Sequence, residues 1–344
     1  MMPLVALALL LGTTDSLRYR AESIDSLPAA LVRVEGRGRL IVELAAMDVP
    51  PNGTIRTPVY RVPIPFAVSL YGFDIEVVDD AGRPLPPDRL HHVVFTDADR
   101  RELFLPLALP IFAASKESPR PRLPKNRVGL LLPAGHRYLV AAMFQNVDAV
   151  PRRMVVRIVL SFIRPSRTVP LVQGYAWTLD VTYPLGREGG RHDFDLPPGR
   201  SSFSWEASPQ IPGTLVAMGS HAHDYATAIQ LEDVTTGKIL YRQVPERDEA
   251  GHVLSIPPTS FARWYRAGIH ITPAHKYRVS VFYDNPTGAP IPFGGMGSVA
   301  GLFVPDENTR WPRLDPSDPI YRAQINNLLS NMAGLEMVET HHNH

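Results

Sequence analysis

The sequence predicts an all-β protein, and three observations carry that expectation. Prolines (35) and glycines (24) punctuate the whole chain. Between them lie short runs rich in β-branched and aromatic residues, several alternating apolar and polar as half-buried strands do. Prolines inside or beside so many of these runs exclude long helices. The runs read, in order, LVRVEGRGRLIVEL, FAVSLYGFDIEVVD, VVRIVLSFI, YAWTLDVTY, KYRVSVFYD and SVAGLFV. Such a series folds into sandwiches or jelly rolls.

Only two stretches look helical. One is DADRRELFLPLALPIFAASKES, interrupted by its own prolines; the other is YRAQINNLLSNMAGLEM, with apolar residues at helical spacing. The 344 residues suffice for two domains. A boundary is expected within RPSRTVPLVQG (164–174), dividing the chain into domains at 23–165 and 170–306, followed by a partly helical or disordered tail at 307–344. PRPRLPKN (119–126) reads as a proline-stiffened loop.

Composition excludes several functions. The net charge of +1 offers no broad field for nucleic acid or an anionic membrane. With no cysteine, thiolate metal sites, iron–sulfur clusters, disulfides and cysteine nucleophiles are ruled out. Only four of the basic residues are lysines (Lys116, Lys125, Lys238, Lys276), a bias of genomic base composition rather than of function. Residues 1–22 open with MMPLVALALLLGTTDS, whose apolar run is too short to span a bilayer and resembles that of a secretory signal, although positive residues in front and a small-x-small cleavage site are missing. Export to the periplasm or the extracellular space is the expectation, without membrane insertion.

The candidate chemistry lies in histidines. In GSHAHDY, His221 and His223 stand two apart, and on a strand such residues share a face. Their imidazoles suit copper, zinc, iron or nickel. His91 and His92 are adjacent, so a bulge or a strand end is needed to aim both at one ion. Twelve histidines in 344 residues give roughly 0.4 chance pairs of either spacing, so neither pair is diagnostic alone. Met296, in GGMGSVAGLF, offers a soft thioether that favours Cu(I), or is simply a core methionine. Asp224 and Tyr225 are read either as partners that orient the histidines or as the end of a strand. His270 and His275 flank a turn and read as structural or exposed, and Asp284–Asn285 read as turn formers. His341, His342 and His344 read as a disordered tail or a flexible metal-binding cluster.

Taken together, HHVVF, GSHAHDYATAIQLEDVTTGKILY and YDNPTGAPIPFGGMGSVAGLF resemble the copper type II, ascorbate-dependent monooxygenase family, over roughly residues 60–305. That resemblance implies two jelly-roll domains in tandem and two separate coppers. His221, His223 and Met296 would hold the catalytic, oxygen-binding copper. His91 and His92 would hold an electron-storing copper whose third histidine should fall near Phe144 or Gln145. Neither is histidine, so Gln145, Met143 and His136 stand as substitutes for that ligand. The implied activity is hydroxylation of a C–H bond of a small organic substrate with O2 and ascorbate or another one-electron donor. An arginine expected before the HxH motif for peptide carboxylates is absent, which argues against peptide amidation. Two other functions fit the same residues: a non-catalytic copper-handling protein with one intact site, and a structural β-sandwich with remnant motifs.

Overall fold

The computed structural model describes residues 24–115, 122–123, 127–166, 168, 172–186, 191–260 and 268–330. The expected signal segment, all of the proline loop except Arg122 and Leu123, and His341, His342 and His344 lie outside them.

The first half contains β1 (Leu31–Glu35), β2 (Arg39–Glu43), β3 (Met47–Val49), β4 (Gly53–Arg56), β5 (Tyr60–Val62), β6 (Val68–Val78), β7 (Leu90–Arg101), β8 (Ala108–Ala114), β9 (Val128–Leu132), β10 (Tyr138–Asn146) and β11 (Arg152–Ile163). One sheet runs β1-β2-β11-β6-β9, and the facing sheet runs β4-β10-β7-β8 with β5 also on β10. The second half contains β12 (Val172–Asp180), β13 (Phe194–Leu196), β14 (Gly199–Ala207), β15 (Gly213–Ala222), β16 (Ala226–Asp233), β17 (Lys238–Gln243), β18 (Glu246–Arg247), β19 (Val253–Ser255), β20 (Thr259–Ser260), β21 (Ile269–Ile271), β22 (Tyr277–Asn285), β23 (Ile291–Gly295) and β24 (Gly297–Pro305). Its sheets run β12-β24-β15 with β20 and β21 at the edge, and β14-β22-β16-β17. Small two-stranded sheets, β13-β23 and β18-β19, complete the second half; apart from these and from β1 and β5, its main strands follow the order of the first half, so the chain is two jelly rolls in tandem. Parallel pairing of β9 with β12 (Val172 beside Val128) joins one sheet of each into a continuous 11-stranded sheet.

The repetition reaches single residues. In both halves an aspartate and a tyrosine face each other across the strand pair, Asp97 opposite Tyr138 and Asp233 opposite Tyr277. A histidine two residues before each tyrosine binds that aspartate through Nδ1, at 2.9 Å for His136 and 2.7 Å for His275. Each strand ends on a buried asparagine, Asn146 or Asn285. Its amide donates to carbonyls of two neighbouring segments, among them Val150 (2.9 Å) and Ala289 (2.9 Å). The sequence signature is His-x-Tyr followed by Asn eight residues later, GHRYLVAAMFQN and AHKYRVSVFYDN.

In the stretch DADRRELFLPLALPIFAASKES, expected to be helical, residues 97–115 instead form the end of β7, a loop and β8, and 116–118 lie outside the described residues. Cross-strand pairing to β10 and β7 outweighs its weak helical pattern, and Pro106 and Pro110 interrupt any helix. Its loop is what locks the halves together. Leu103, Phe104 and Leu107 leave the first core and pack in the second, with Phe104 tilted against Trp177 at 5.9 Å. Backbone bonds hold the loop: Glu102 N–H to Leu107 O (2.8 Å) and Gln210 N–H to Leu103 O (3.0 Å). Of the stretch YRAQINNLLSNMAGLEM expected to be helical, residues 321–330 lie in α1 (Pro319–Ser330), which crosses back onto the first half, and 331–337 lie outside the described residues. Leu329 buries beside Ala98 and Leu139, Tyr321 Oη donates to Ala98 O (3.0 Å) and Trp311 Nε1 to Arg101 O (2.8 Å).

Glu102 is completely buried at this junction and accepts from Phe104 N–H (2.7 Å), Leu105 N–H (2.9 Å) and Thr178 N–H (3.4 Å). Burial raises its pKa to about 7 despite those donors and the neighbouring Arg101 charge. The folded state therefore holds a proton that the unfolded chain releases above pH 4.5, so this group lowers stability as pH rises toward 7. We predict that urea unfolding of Glu102→Gln loses that dependence, the stability difference from wild type changing by about 3 kcal/mol across the window. Phe104→Ala, which empties its place in the second core, is predicted to cost about 3–5 kcal/mol in the same assay.

Candidate metal centre

His91 and His92 open β7, where the ladder to β10 skips a residue. Phe144 faces Leu90, Met143 faces His92, and His91 is the extra residue of a bulge. The second jelly roll carries the same bulge at Thr227, between Tyr283 facing Ala226 and Phe282 facing Ala228. The bulge thus belongs to the repeated scaffold and is filled with histidines in the first half only. It brings adjacent side chains together, as the sequence required. The two rings stack with centroids 4.2 Å apart.

His221 and His223 leave the second jelly roll at the end of β15. Met218 and Ala222 are buried in its core and the Ser220 hydroxyl meets Tyr241 Oη (3.2 Å). Alternation then turns His221 and His223 to the opposite face. His221 stands beside Ser298 of β24, which in turn faces Asp180 of β12, so a carboxylate shares that face two strands away. Asp180 is buried and binds Thr182 N–H (2.7 Å) and His192 Nδ1 (3.4 Å). Burial opposes the charged form of His192, but Asp180 prevails and holds its pKa above the usual histidine value. Past Ala222 the chain turns sharply. Ala226 N–H donates to His223 O (3.2 Å), Tyr225 adopts φ +67°, and Asp224 anchors the following loop by accepting from Val253 N–H (2.7 Å).

These elements meet. His92, His221 and His223, all half-buried, present ligating nitrogens within 4.8 Å of one another. The His92 and His221 rings lie 5.5 Å apart and nearly perpendicular, and the His221 and His223 rings 5.3 Å apart, also nearly perpendicular. His221 Nε2 is shielded from solvent. Metal–nitrogen bonds of about 2.0–2.1 Å span about 4 Å between nitrogens at most, so the rings need draw in only slightly to share an ion. Three neutral imidazoles without carboxylate or thiolate suit copper or zinc.

The sequence expectation assigned the two histidine pairs to separate ions; the folded chain instead groups His92 with the pair of the second half, while the His91 ring stacks on that of His92. Met296 is the residue before β24. One step beyond the last ladder pair, Ala222 with Gly297, it is the counterpart of His223. The buried Tyr283 hydroxyl ties the two together, accepting from Met296 N–H (2.9 Å) and His223 N–H (3.3 Å) and donating to Met296 O. Burial pushes the Tyr283 pKa up, which keeps this phenol protonated. Gly297 permits the close approach of β24, since a Cβ there would lie 2.7 Å from the Val281 side chain.

The proposed third ligands of the first-half site separate clearly. Phe144 is buried in the core. His136 is bound to Asp97, five residues along β7 from His92, about 16 Å away at strand rise, and does not join the cluster. Gln145 faces Thr54 of β4, and Met143 faces His92. Exposed His270 pairs with Asp306 (3.0 Å) and half-buried His275 with Asp233 (2.7 Å), within the expectation that the two are structural or exposed. The sequence reading missed that His136 and His275 are one repeated structural pair; the His-x-Tyr…Asn repeat was the signal.

No known protein family and no curated protein matches this chain. Among solved structures it is similar to the major capsid protein of bacteriophage PM2 (10% identity, 79% of this chain and 100% of that chain, TM-score 0.35). It is also similar to a structure of infectious bursal disease virus (9%, 84% and 78%, TM-score 0.24) and to vicilin from Capsicum annuum (7%, 85% and 88%, TM-score 0.14). At these scores the likeness carries no inference; the tandem jelly-roll fold stands on its own strand order. Among the described residues, no helix is long and apolar enough to cross a membrane.

Tyr283→Phe tests the support of the site. It leaves the Met296 and His223 amides and the Met296 carbonyl without their shared hydroxyl. The expected cost in urea unfolding is about 1–3 kcal/mol, with weaker metal binding in a titration of the folded variant.

Proposed function

We propose that the protein binds one transition-metal ion between its two jelly rolls, copper being the metal its donors favour, through His92, His221 and His223 with Met296 alongside. The convergence of three imidazoles from both halves carries this reading. Neutral nitrogen donors and a nearby thioether accommodate Cu(I), while zinc lacks a reason to prefer sulfur without thiolate. Such a centre fits a copper-binding or copper-handling protein with a single site. His92 closes it from one half, the His221–His223 pair from the other, and the Tyr283 hydroxyl keeps His223 and Met296 in register.

A second reading adds catalysis, favoured by the attachment of Met296 to the His223 turn. Copper bound there would supply redox chemistry with O2 and an external reductant such as ascorbate, for hydroxylating a C–H bond of a small organic substrate. The residues of this chain would hold the ion and shield His221 Nε2 from water.

Metal analysis of the purified full chain tests the first reading. The expected result is close to one copper per chain, lost in His221→Ala and also in His92→Ala. Copper at 100 times its Kd should raise the unfolding free energy by about 2.7 kcal/mol. Retention of copper by His92→Ala would mean that the site does not span the halves; absence of copper binding in the wild type would leave a structural β-sandwich. Hydroxylated product from an added small organic substrate, with oxygen uptake above that of the copper-loaded chain and ascorbate alone, decides for or against catalysis.

A further inference from the structure

We propose that Met143 is a sulfur donor to the ion held by His92, His221 and His223, making the centre selective for Cu(I). The inference rests on the metal-binding reading above and names a ligand that reading leaves out. Met143 is the residue directly opposite His92 across the β7–β10 ladder. Its neighbours Ala142 and Phe144 are buried in the first core, so Met143 turns outward with His92. Directly opposed side chains on one face have Cβ atoms about 4.5–5.5 Å apart, and the unbranched, flexible methionine can carry its sulfur to an ion bound by the facing imidazole.

The repeated scaffold isolates this pair from structural need. At the equivalent bulge of the second jelly roll the facing residues are Ala228 and Phe282, and the Arg242 guanidinium lies 5.3 Å over the Phe282 ring. The bulge therefore forms without histidine or methionine. Only where it meets the histidines of the other half does it carry both. The other substitutes for the third ligand are less well placed: His136 is committed to Asp97, and Gln145, on the same face as Met143, lies two residues further along, past the last residue of β10 that pairs with β7. A site with Met143 and Met296 joins neutral imidazoles to neutral thioethers, a set that matches the soft, singly charged Cu(I) rather than Zn(II).

The test uses the full chain with Met143→Leu, Met296→Leu and the double variant, which conserve volume; circular dichroism and urea unfolding check that each folds as wild type does. Cu(I) is titrated anaerobically against a chromogenic chelator, Zn(II) in parallel, and X-ray absorption of the Cu(I) form reads sulfur scattering. Met143→Leu should weaken Cu(I) by about tenfold or more while Zn(II) changes by less than about twofold. Met296→Leu should retain sulfur scattering, and the double variant should lose it. Unchanged Cu(I) affinity in Met143→Leu, or loss of all sulfur scattering in Met296→Leu alone, would overturn the assignment of Met143 and leave the three-histidine centre standing. Failure of the wild type to bind either metal would reject the centre itself, and this ligand with it.

Discussion

The insertion of Leu103, Phe104 and Leu107 into the second core is the constraint on which the rest of the molecule depends. Beside it, the halves are joined by the short β9–β12 pairing, by the small apolar cluster of Val128, Val216 and Leu302, and by Trp311 and α1 crossing back onto the first half. Three large apolar side chains delivered by one jelly roll into the core of the other oppose hinging, because withdrawing them would expose apolar surface and leave voids. Glu102 sits at the neck of this plug. Its carboxyl orders the loop through backbone N–H groups, but its burial opposes the charge that would make those bonds strongest. The junction thus combines a strong apolar anchor with a polar group whose contribution varies near neutral pH.

A site assembled from both halves requires such a junction. His92 and the His221–His223 pair are separated by nearly 130 residues of sequence, and no local structure brings them together. Metal coordination tolerates errors of only a few tenths of an ångström, so the supporting shell must be rigid. On one side rigidity comes from the bulge, on the other from the Tyr283 hydroxyl, which binds the backbones carrying His223 and Met296. Tyr283 occupies the position that Phe144 occupies in the first jelly roll. The same scaffold position is pure core in one half and a polar clamp in the other.

Comparison of the halves also separates structural histidines from those available for chemistry. His136 and His275 repeat the same bond to an aspartate on the neighbouring strand, at the same depth of the same fold. A residue that recurs in both copies with the same partner serves the copy itself. His91, His92, His221 and His223 have no such counterpart, and Thr227 and Ala228 stand where the first pair would repeat.

Alternation of apolar and polar residues and the density of proline made the all-β class legible from the sequence, and the same alternation put His221 and His223 on one face, because these properties depend on neighbours two residues away. The need for a bulge at His91–His92 was legible for the same reason. The misread helix in DADRRELFLPLALPIFAASKES shows the limit of local pattern, since its two strands arise from β8 pairing back on β7 and from β7 pairing with β10, where Tyr138 stands opposite Asp97 far along the chain. Which histidines gather around one point was decided only by tertiary structure. Register across β7–β10 and the seating of one loop in a distant core set that outcome, and both are long-range packing choices that no short window of sequence encodes.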